Sequence, residues 1–252
     1  MKIKIISKKI YPELKKLYNK FDVSDDAKIC LAIGGDGTFI KAANKFEGPI
    51  LPIRSEEKNS TGYYADSSLK DIDFIIDSLL KKKYSINELG RKVEVEYKGK
   101  KYYGVNEVLL KNVQEEVYFK LYYIEDEKLN RLYNYTLSGD GFLATSAIGS
   151  TAYNRTAGGP IILDKNVLCL TFLSIENPLT NSVILREDEK LHIEVEKGKG
   201  ILSYDGMMIG QIEKDDSFDI KLSNKKVKVI KLDIQSEEFS EKLSRLVKSK
   251  MN

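Results

Sequence analysis

Ile29-Cys30-Leu31-Ala32-Ile33-Gly34-Gly35-Asp36-Gly37-Thr38 is the stretch on which the fold turns. Five apolar residues with no polar interruption suit a strand covered on both faces, as in a parallel sheet. Three glycines and one acid then reverse the chain, and Thr38 to Lys45 reads as a helix. The flanking segments repeat this alternation. Lys2 to Ser7 reads as a strand, and Leu14, Leu17, Tyr18 and Phe21 recur at helical spacing behind Pro12. Pro49 to Ile53 reads as a strand, and Ile72, Ile75, Ile76, Leu79 and Leu80 form one face of a longer helix, closed by Lys81-Lys82-Lys83. The first third is therefore expected to be an α/β domain built on an open parallel sheet.

From about Arg91 the period changes to two. Val93, Val95 and Tyr97 alternate, Lys98-Gly99-Lys100 turns the chain, and strands are expected at Tyr102 to Leu110, Val117 to Ile124, Leu129 to Thr136, Phe142 to Thr145, Val167 to Leu173, Leu191 to Val195, Ile201 to Tyr204, Phe218 to Leu222 and Val227 to Leu232. So many short strands predict a β-sandwich or a related β domain. From Ser236 the spacing is helical again, with an apolar stripe on Phe239, Leu243, Leu246 and Val247.

Composition excludes several chemistries. His192 is the one histidine, and it sits in an alternating strand that should turn it to solvent, which argues against a histidine-dependent triad or a two-histidine metal site. Cys30 and Cys169 lack Cys-x-x-Cys spacing, and so predict a reducing, cytoplasmic setting. A net charge of +3 gives no reason to expect nucleic acid. The charged start, Met1 to Ser7, does not read as a signal peptide, and no apolar run reaches membrane-spanning length.

Three segments carry candidate chemistry. Gly34-Gly35-Asp36-Gly37-Thr38 lies at the carboxyl end of a parallel strand, where open α/β sheets bind ligands; glycines allow phosphates close to the backbone, and the helix start offers free N–H groups. The same turn could be an ordinary strand-to-helix connection capped by Asp36 or Thr38. Gly104-Val105-Asn106-Glu107-Val108 sets an amide beside a carboxylate, suited to a purine edge and a ribose diol, or to the solvent face of a strand. Ser138 to Pro160 gathers glycines, hydroxyls and one tyrosine, a composition that lets a ligand approach the backbone; a nucleophilic Ser150 or Thr151 would lack a histidine partner.

In this order the three segments resemble the NAD kinase family over nearly the whole chain. Gly34 to Thr38 is shared with lipid kinases, whereas Asn106-Glu107, Gly149-Ser150-Thr151-Ala152-Tyr153, Ala157-Gly158-Gly159-Pro160 and Asp205-Gly206 are more specific. The resemblance implies an N-terminal α/β domain (residues 1–89), a C-terminal β domain (90–234) that binds NAD, and a final helix (235–252) returning to the first domain. It implies transfer of the γ-phosphate of ATP, or of polyphosphate, to the 2′-hydroxyl of the adenosine ribose of NAD. Carried over residue by residue, Asp36 is the general base with Gly35 and Gly37 beside it. Asn106 and Glu107 hold adenine and ribose, Asp140 lies near the nicotinamide end, and Thr151, Ala152, Tyr153, Asn154, Arg155 and Thr156 line the pocket. A divalent ion, normally Mg²⁺, is expected to travel with the nucleotide, since no carboxylate cluster marks a protein-held metal.

The chain departs from the family pattern over Pro52 to Tyr64, and at Ser138, Met207 and Ala147-Ile148. Two other functions share some features: a lipid or other small-molecule kinase with the same glycine turn, and a non-catalytic NAD(P)-binding sensor. The resemblance also implies a homo-oligomer, a tetramer built from dimers. Tyr118, Phe119, Tyr122, Tyr123, Tyr133 and Tyr135 suit such an interface, or the outer face of a monomeric β domain.

Overall fold

The structure, a computed structural model, describes residues 1–55, 62–125, 127–176, 182–233, 240–242 and 244. The chain divides into two compact units, Met1–Glu88 with Val227–Asn252, and Leu89–Lys226. It combines an α/β part with a β part.

In the first unit the elements run β1 (Lys2–Ser7), α1 (Leu14–Lys20), β2 (Asp22–Val23), β3 (Cys30–Gly34), α2 (Asp36–Lys45), β4 (Ile50–Arg54), β5 (Ser67–Ser68) and α3 (Ile72–Leu80). The strands pair in parallel in the order β4, β3, β1, β2, with β5 also on β4. Every residue of β3 is buried, as its unbroken apolar run requires. Alternation along the strands puts Ile3, Leu31, Ile33, Leu51 and Ile53 into one core with Leu17 of α1 and Ile72, Ile75 and Leu79 of α3. Helix α2 packs on β3 and β4, burying Phe39, Ile40, Ala42 and Ala43. The 3-10 turn Leu69–Asp71 that leads into α3 starts with a capping box, in which the Ser68 N–H donates to Asp71 Oδ2 at 2.8 Å. Tyr18 does not join the buried stripe and is 55% exposed. At 100° per residue it lies roughly 70° from the centre of the arc shared by Leu14, Leu17 and Phe21.

The second unit comprises β6 (Tyr84–Tyr97, which begins in the first unit), β7 (Lys100–Gly104), β8 (Glu107–Asn112), β9 (Val117–Glu125), β10 (Lys128–Arg131), β11 (Leu137–Gly139), β12 (Gly141–Thr145), α4 (Tyr153–Thr156), β13 (Val167–Leu173), β14 (Val183–Arg186), β15 (Lys190–Lys197), β16 (Gly200–Tyr204), β17 (Met207–Ile212) and most of β18 (Ser217–Leu232). One antiparallel sheet has the order β14, β13, β12, β8, β16, β17. In the other layer β10, β9, β15 and β18 are neighbours, with β11 on β9 and β6 on β18 and β7. The two layers share a core: Phe142 of β12 lies 5.3 Å from Phe119 of β9 and stacks on Phe218 of β18 at 6.4 Å.

Several sequence expectations change in detail. Tyr102 to Leu110 is two strands, interrupted at Val105 and Asn106, and Leu129 to Thr136 forms a strand only as far as Arg131. Conversely, Phe218 to Leu222 and Val227 to Leu232 belong to one strand, because the polar link between them is held in place. Arg91 Nε donates to the Ser223 carbonyl at 2.7 Å, and its Nη2 donates to Asn224 Oδ1 at 2.9 Å. β14 and β17 carry no alternating signal and were not anticipated; both are edge strands. His192 does not simply face solvent. It is half-buried, and its Nδ1 lies 2.6 Å from Asp219 Oδ1, its register partner on β18. The stripe on Phe239, Leu243, Leu246 and Val247 lies outside the described residues. No helix among the described residues is long and apolar enough to cross a membrane.

Candidate functional site

The glycine turn of the first unit is built by steric necessity. Gly34 has φ +155°, and a Cβ there would stand 2.3 Å from Thr38 Oγ1. Gly35 is extended and caps α2, accepting at its carbonyl from the N–H groups of Thr38 (3.0 Å) and Phe39 (3.3 Å). Asp36 is the first helical residue, and a Cβ on Gly37 would meet nothing within 4 Å. Gly35, Asp36 and Gly37 are thus adjacent at the start of α2, where the helix dipole favours an anion.

The atypical segment after β4 supports this turn through its last residues. The Tyr64 N–H donates to Asp36 Oδ1 at 3.3 Å, and the Tyr64 ring stacks on Phe39 of α2 with centroids 4.4 Å apart. Arg54 pairs in register with Gly34, and Ser55 donates its N–H to the Gly34 carbonyl at 3.3 Å. Residues 56–61 lie outside the described residues. Near by, Asp66 forms ion pairs with Lys231 and Lys242. Burial pushes its carboxyl up, but the two ammonium groups overcome this and hold it below the usual range.

In the second unit, the interruption between β7 and β8 carries Asn106 and Glu107. Thr145 is the register partner of Glu107, and its Oγ1 donates to the Asn106 carbonyl at 2.6 Å. A Cβ on Gly149 would stand 1.8 Å from that carbonyl, so the 3-10 turn Gly149–Thr151 rests directly on Asn106. The structure therefore brings together Asn106, Glu107 and the start of the 149–156 segment. Asn106 Oδ1 is buried with no hydrogen-bond partner, an acceptor open to a ligand. Burial, with the Asp205 carboxylate adding to it, pushes Glu107 up to about 7.

Within the segment the residues divide. Thr151 is buried and Ala152 half-buried, while Tyr153 and Thr156 are exposed. Arg155 is half-buried, its Nε donating to the Thr151 carbonyl at 3.4 Å. Asn154 is fully buried and turned inward, its Nδ2 donating to the Pro160 carbonyl at 2.7 Å and its Oδ1 accepting from Thr171 Oγ1 at 2.6 Å. Gly159 packs against that amide, for a Cβ there would lie 2.2 Å from Asn154 Oδ1.

Asp140 is not near Asn106 and Glu107. It lies where the chain passes from β11 to β12, and its Oδ1 accepts from Asn112 Nδ2 at 2.9 Å. Asn112 ends β8 and Glu107 begins it, which separates Asp140 from Glu107 by roughly 17 Å along the strand.

Residues 105–232, the stretch that carries Asn106, Glu107, Asp140 and the 149–156 segment, match the family of the ATP-NAD kinase C-terminal domain. The chain belongs to the NAD kinase family. It is a phosphotransferase. An NAD kinase of Clostridium kluyveri is 30% identical over 218 residues, covering 83% of this chain and 75% of that protein. One of Clostridium tetani is 28% identical over 242 residues, 94% of this chain and 85% of the relative. Among solved structures, an Archaeoglobus fulgidus NAD kinase in complex with ATP superposes with a TM-score of 0.76 at 17% identity, covering 97% and 99% of the two chains. A yeast NADH kinase complexed with NADH gives 0.81 at 14% identity, covering 98% and 87%.

Sequence reading missed two participants. Tyr64 gave no signal, because its contribution is a backbone N–H. Asp205 was visible only as part of an Asp-Gly turn, yet its carboxylate accepts from the N–H groups of Val105 (2.7 Å), Asn106 (2.7 Å) and Glu107 (3.3 Å).

Proposed function

We propose that the protein transfers the terminal phosphoryl group of ATP to the 2′-hydroxyl of the adenosine ribose of NAD, giving NADP. Polyphosphate is the alternative donor. The observation that carries the reading is a lone carboxylate, Asp36, on the first turn of α2 directly after a glycine turn whose Gly37 faces open space. The first-turn amides hold donor phosphates, Asp36 accepts the hydroxyl proton, and the Tyr64 N–H keeps one of its oxygens in place. Asn106 offers its unpaired Oδ1 to adenine and Glu107 bridges the ribose diol. Thr151, Ala152, Tyr153, Arg155 and Thr156 line the pocket, and Asn154 shapes it from beneath. Phosphoryl transfer asks for positioning and charge stabilisation more than covalent chemistry.

Mg²⁺, or another divalent ion, offsets charge on the transferring oxygens when bound. Among the described residues no group of three or more His, Cys, Asp or Glu is gathered that could hold a metal, and the ion of this proposal arrives on the donor's phosphates.

Residues 1–89 with 235–252 form the donor and catalytic domain of the proposal, and 90–234 the NAD domain. Asp140 serves the nicotinamide end, and the proposed assembly is a homotetramer built from dimers. Sedimentation at micromolar concentration tests this; a fully active monomer would remove it. The proposed setting is the cytoplasm. Both cysteines are free and buried, and burial pushes Cys30 up to about 12.

Assaying phosphate transfer from ATP and from polyphosphate to NAD separates the readings. Transfer to a lipid acceptor instead would favour a lipid kinase, and NAD binding without turnover would favour a sensor.

A further inference from the structure

Asp205 opens a two-residue hairpin between β16 and β17, with φ +45° at Asp205 and +77° at Gly206 and Tyr204 opposite Met207. Such turns need left-handed backbone at both positions, and Asp is tolerated there, but Gly or Asn fills the same place with less strain or without charge. The carboxylate therefore needs another reason, and its partners supply it. Oδ2 accepts from the Val105 N–H at 2.7 Å, and Oδ1 accepts from Asn106 at 2.7 Å and Glu107 at 3.3 Å. The Asp205 N–H donates in return to the Glu107 carbonyl at 3.2 Å. Three successive amides at a strand interruption are thus gathered by one side chain, while Thr145 takes the Asn106 carbonyl from the other side.

We infer that Asp205 is a positioning residue for the acceptor nucleotide: by fixing the backbone of Val105, Asn106 and Glu107 it sets the angle at which the Asn106 amide and the Glu107 carboxylate meet adenine and ribose. This rests on the reading of Asn106 and Glu107 given above. The arrangement has a cost, since the charge that holds the backbone also disfavours ionisation of Glu107, whose other burden is burial. A residue that served the hairpin alone would be better replaced by an uncharged one.

Two variants test the inference. Asp205→Gly removes the carboxylate and relaxes the left-handed turn, so the hairpin should be retained; Asp205→Asn keeps one acceptor and sets a donor against the remaining amides. Both are expected to lower kcat/KM for NAD by up to about 100-fold, mainly through KM, with KM for ATP nearly unchanged. The rise of kcat/KM with pH should also move to lower pH, because a like charge beside Glu107 has been removed. Thermal melting and NAD binding by calorimetry, read alongside, show whether the fold persists and whether affinity falls without turnover being involved. An Asp205→Gly protein that binds NAD like the wild type, or that loses NAD and ATP use equally, would overturn the inference. Wild-type protein in the same plate guards the reading beneath it: failure to phosphorylate NAD there sinks the functional proposal and not the geometry of Asp205.

Discussion

The glycine turn of the first unit and the interruption between β7 and β8 in the second each set a carboxylate beside a short break in regular backbone, and they differ in what surrounds that break. At the turn, the Thr38 and Phe39 N–H groups close on the Gly35 carbonyl, and a Cβ on Gly37 would meet only open space. At the interruption, Asp205 consumes all three amides, and the Asn106 carbonyl is consumed by Thr145. Open space at a helix start, where the dipole favours an anion, can serve a ligand whose charge moves during the reaction. Amides closed by the protein's own carboxylate can only fix what is attached to them, here Asn106 and Glu107. In the proposed function the carboxylates differ accordingly: Asp36 accepts the proton and Glu107 orients the ribose.

That division predicts different kinetic signatures. Asp36→Asn should slow turnover by roughly 10²- to 10⁴-fold while the fold and NAD affinity hold, as steady-state kinetics with calorimetry and circular dichroism would show. Near-normal turnover in a folded variant would remove the general-base role.

Gly149→Ala attacks the closed region through its packing. With its Cβ 1.8 Å from the Asn106 carbonyl, the variant should lose about 3 kcal/mol of stability or more. Denaturant unfolding would measure it, and a wild-type midpoint would mean that the 149–151 turn does not rest on Asn106.

Glu107→Gln should weaken use of NAD more than of ATP, and equal losses would make the residue a support of the fold. It should also change stability with a definite sign. A carboxyl that titrates at about 7 in the folded protein, against about 4.3 in an unfolded chain, binds its proton more tightly when folded. Its contribution is complete below the unfolded value and is lost as pH rises through 7. The variant escapes that loss, and should be the more stable protein at pH 8 by up to about 3 kcal/mol, with a much smaller effect at pH 4. Melting curves at the two pH values check this.

The smallest structural effect belongs to the open region. Gly37→Ala meets no neighbour within 4 Å and should stay within about 1 kcal/mol of the wild type, yet turnover should fall by about tenfold if phosphates occupy that space. Unchanged kinetics would leave the turn as an ordinary helix start.

How far the sequence carries this account follows from the range of the interactions. β3, the turn and α2 were legible because a doubly covered strand writes an unbroken apolar run and a close turn writes glycines. The pair Asn106-Glu107 was legible as an anomaly, since strand neighbours point to opposite faces; the interruption that resolves it was not, because the side chain that holds it is about a hundred residues away. Edge strand β17, Met207–Ile212, lacks alternation because much of it is exposed. The continuity of β18 was hidden by a polar stretch that Arg91 secures from the neighbouring strand β6, 132 residues away in sequence.

The central claim is tested most directly by incubating the purified protein with NAD, ATP and Mg²⁺ and following NADP with an NADP-specific dehydrogenase. The account predicts steady NADP formation, abolished to within background by omission of ATP and nearly so by Asp36→Asn. A protein that binds NAD and remains folded but forms no NADP, from ATP or from polyphosphate, would contradict it.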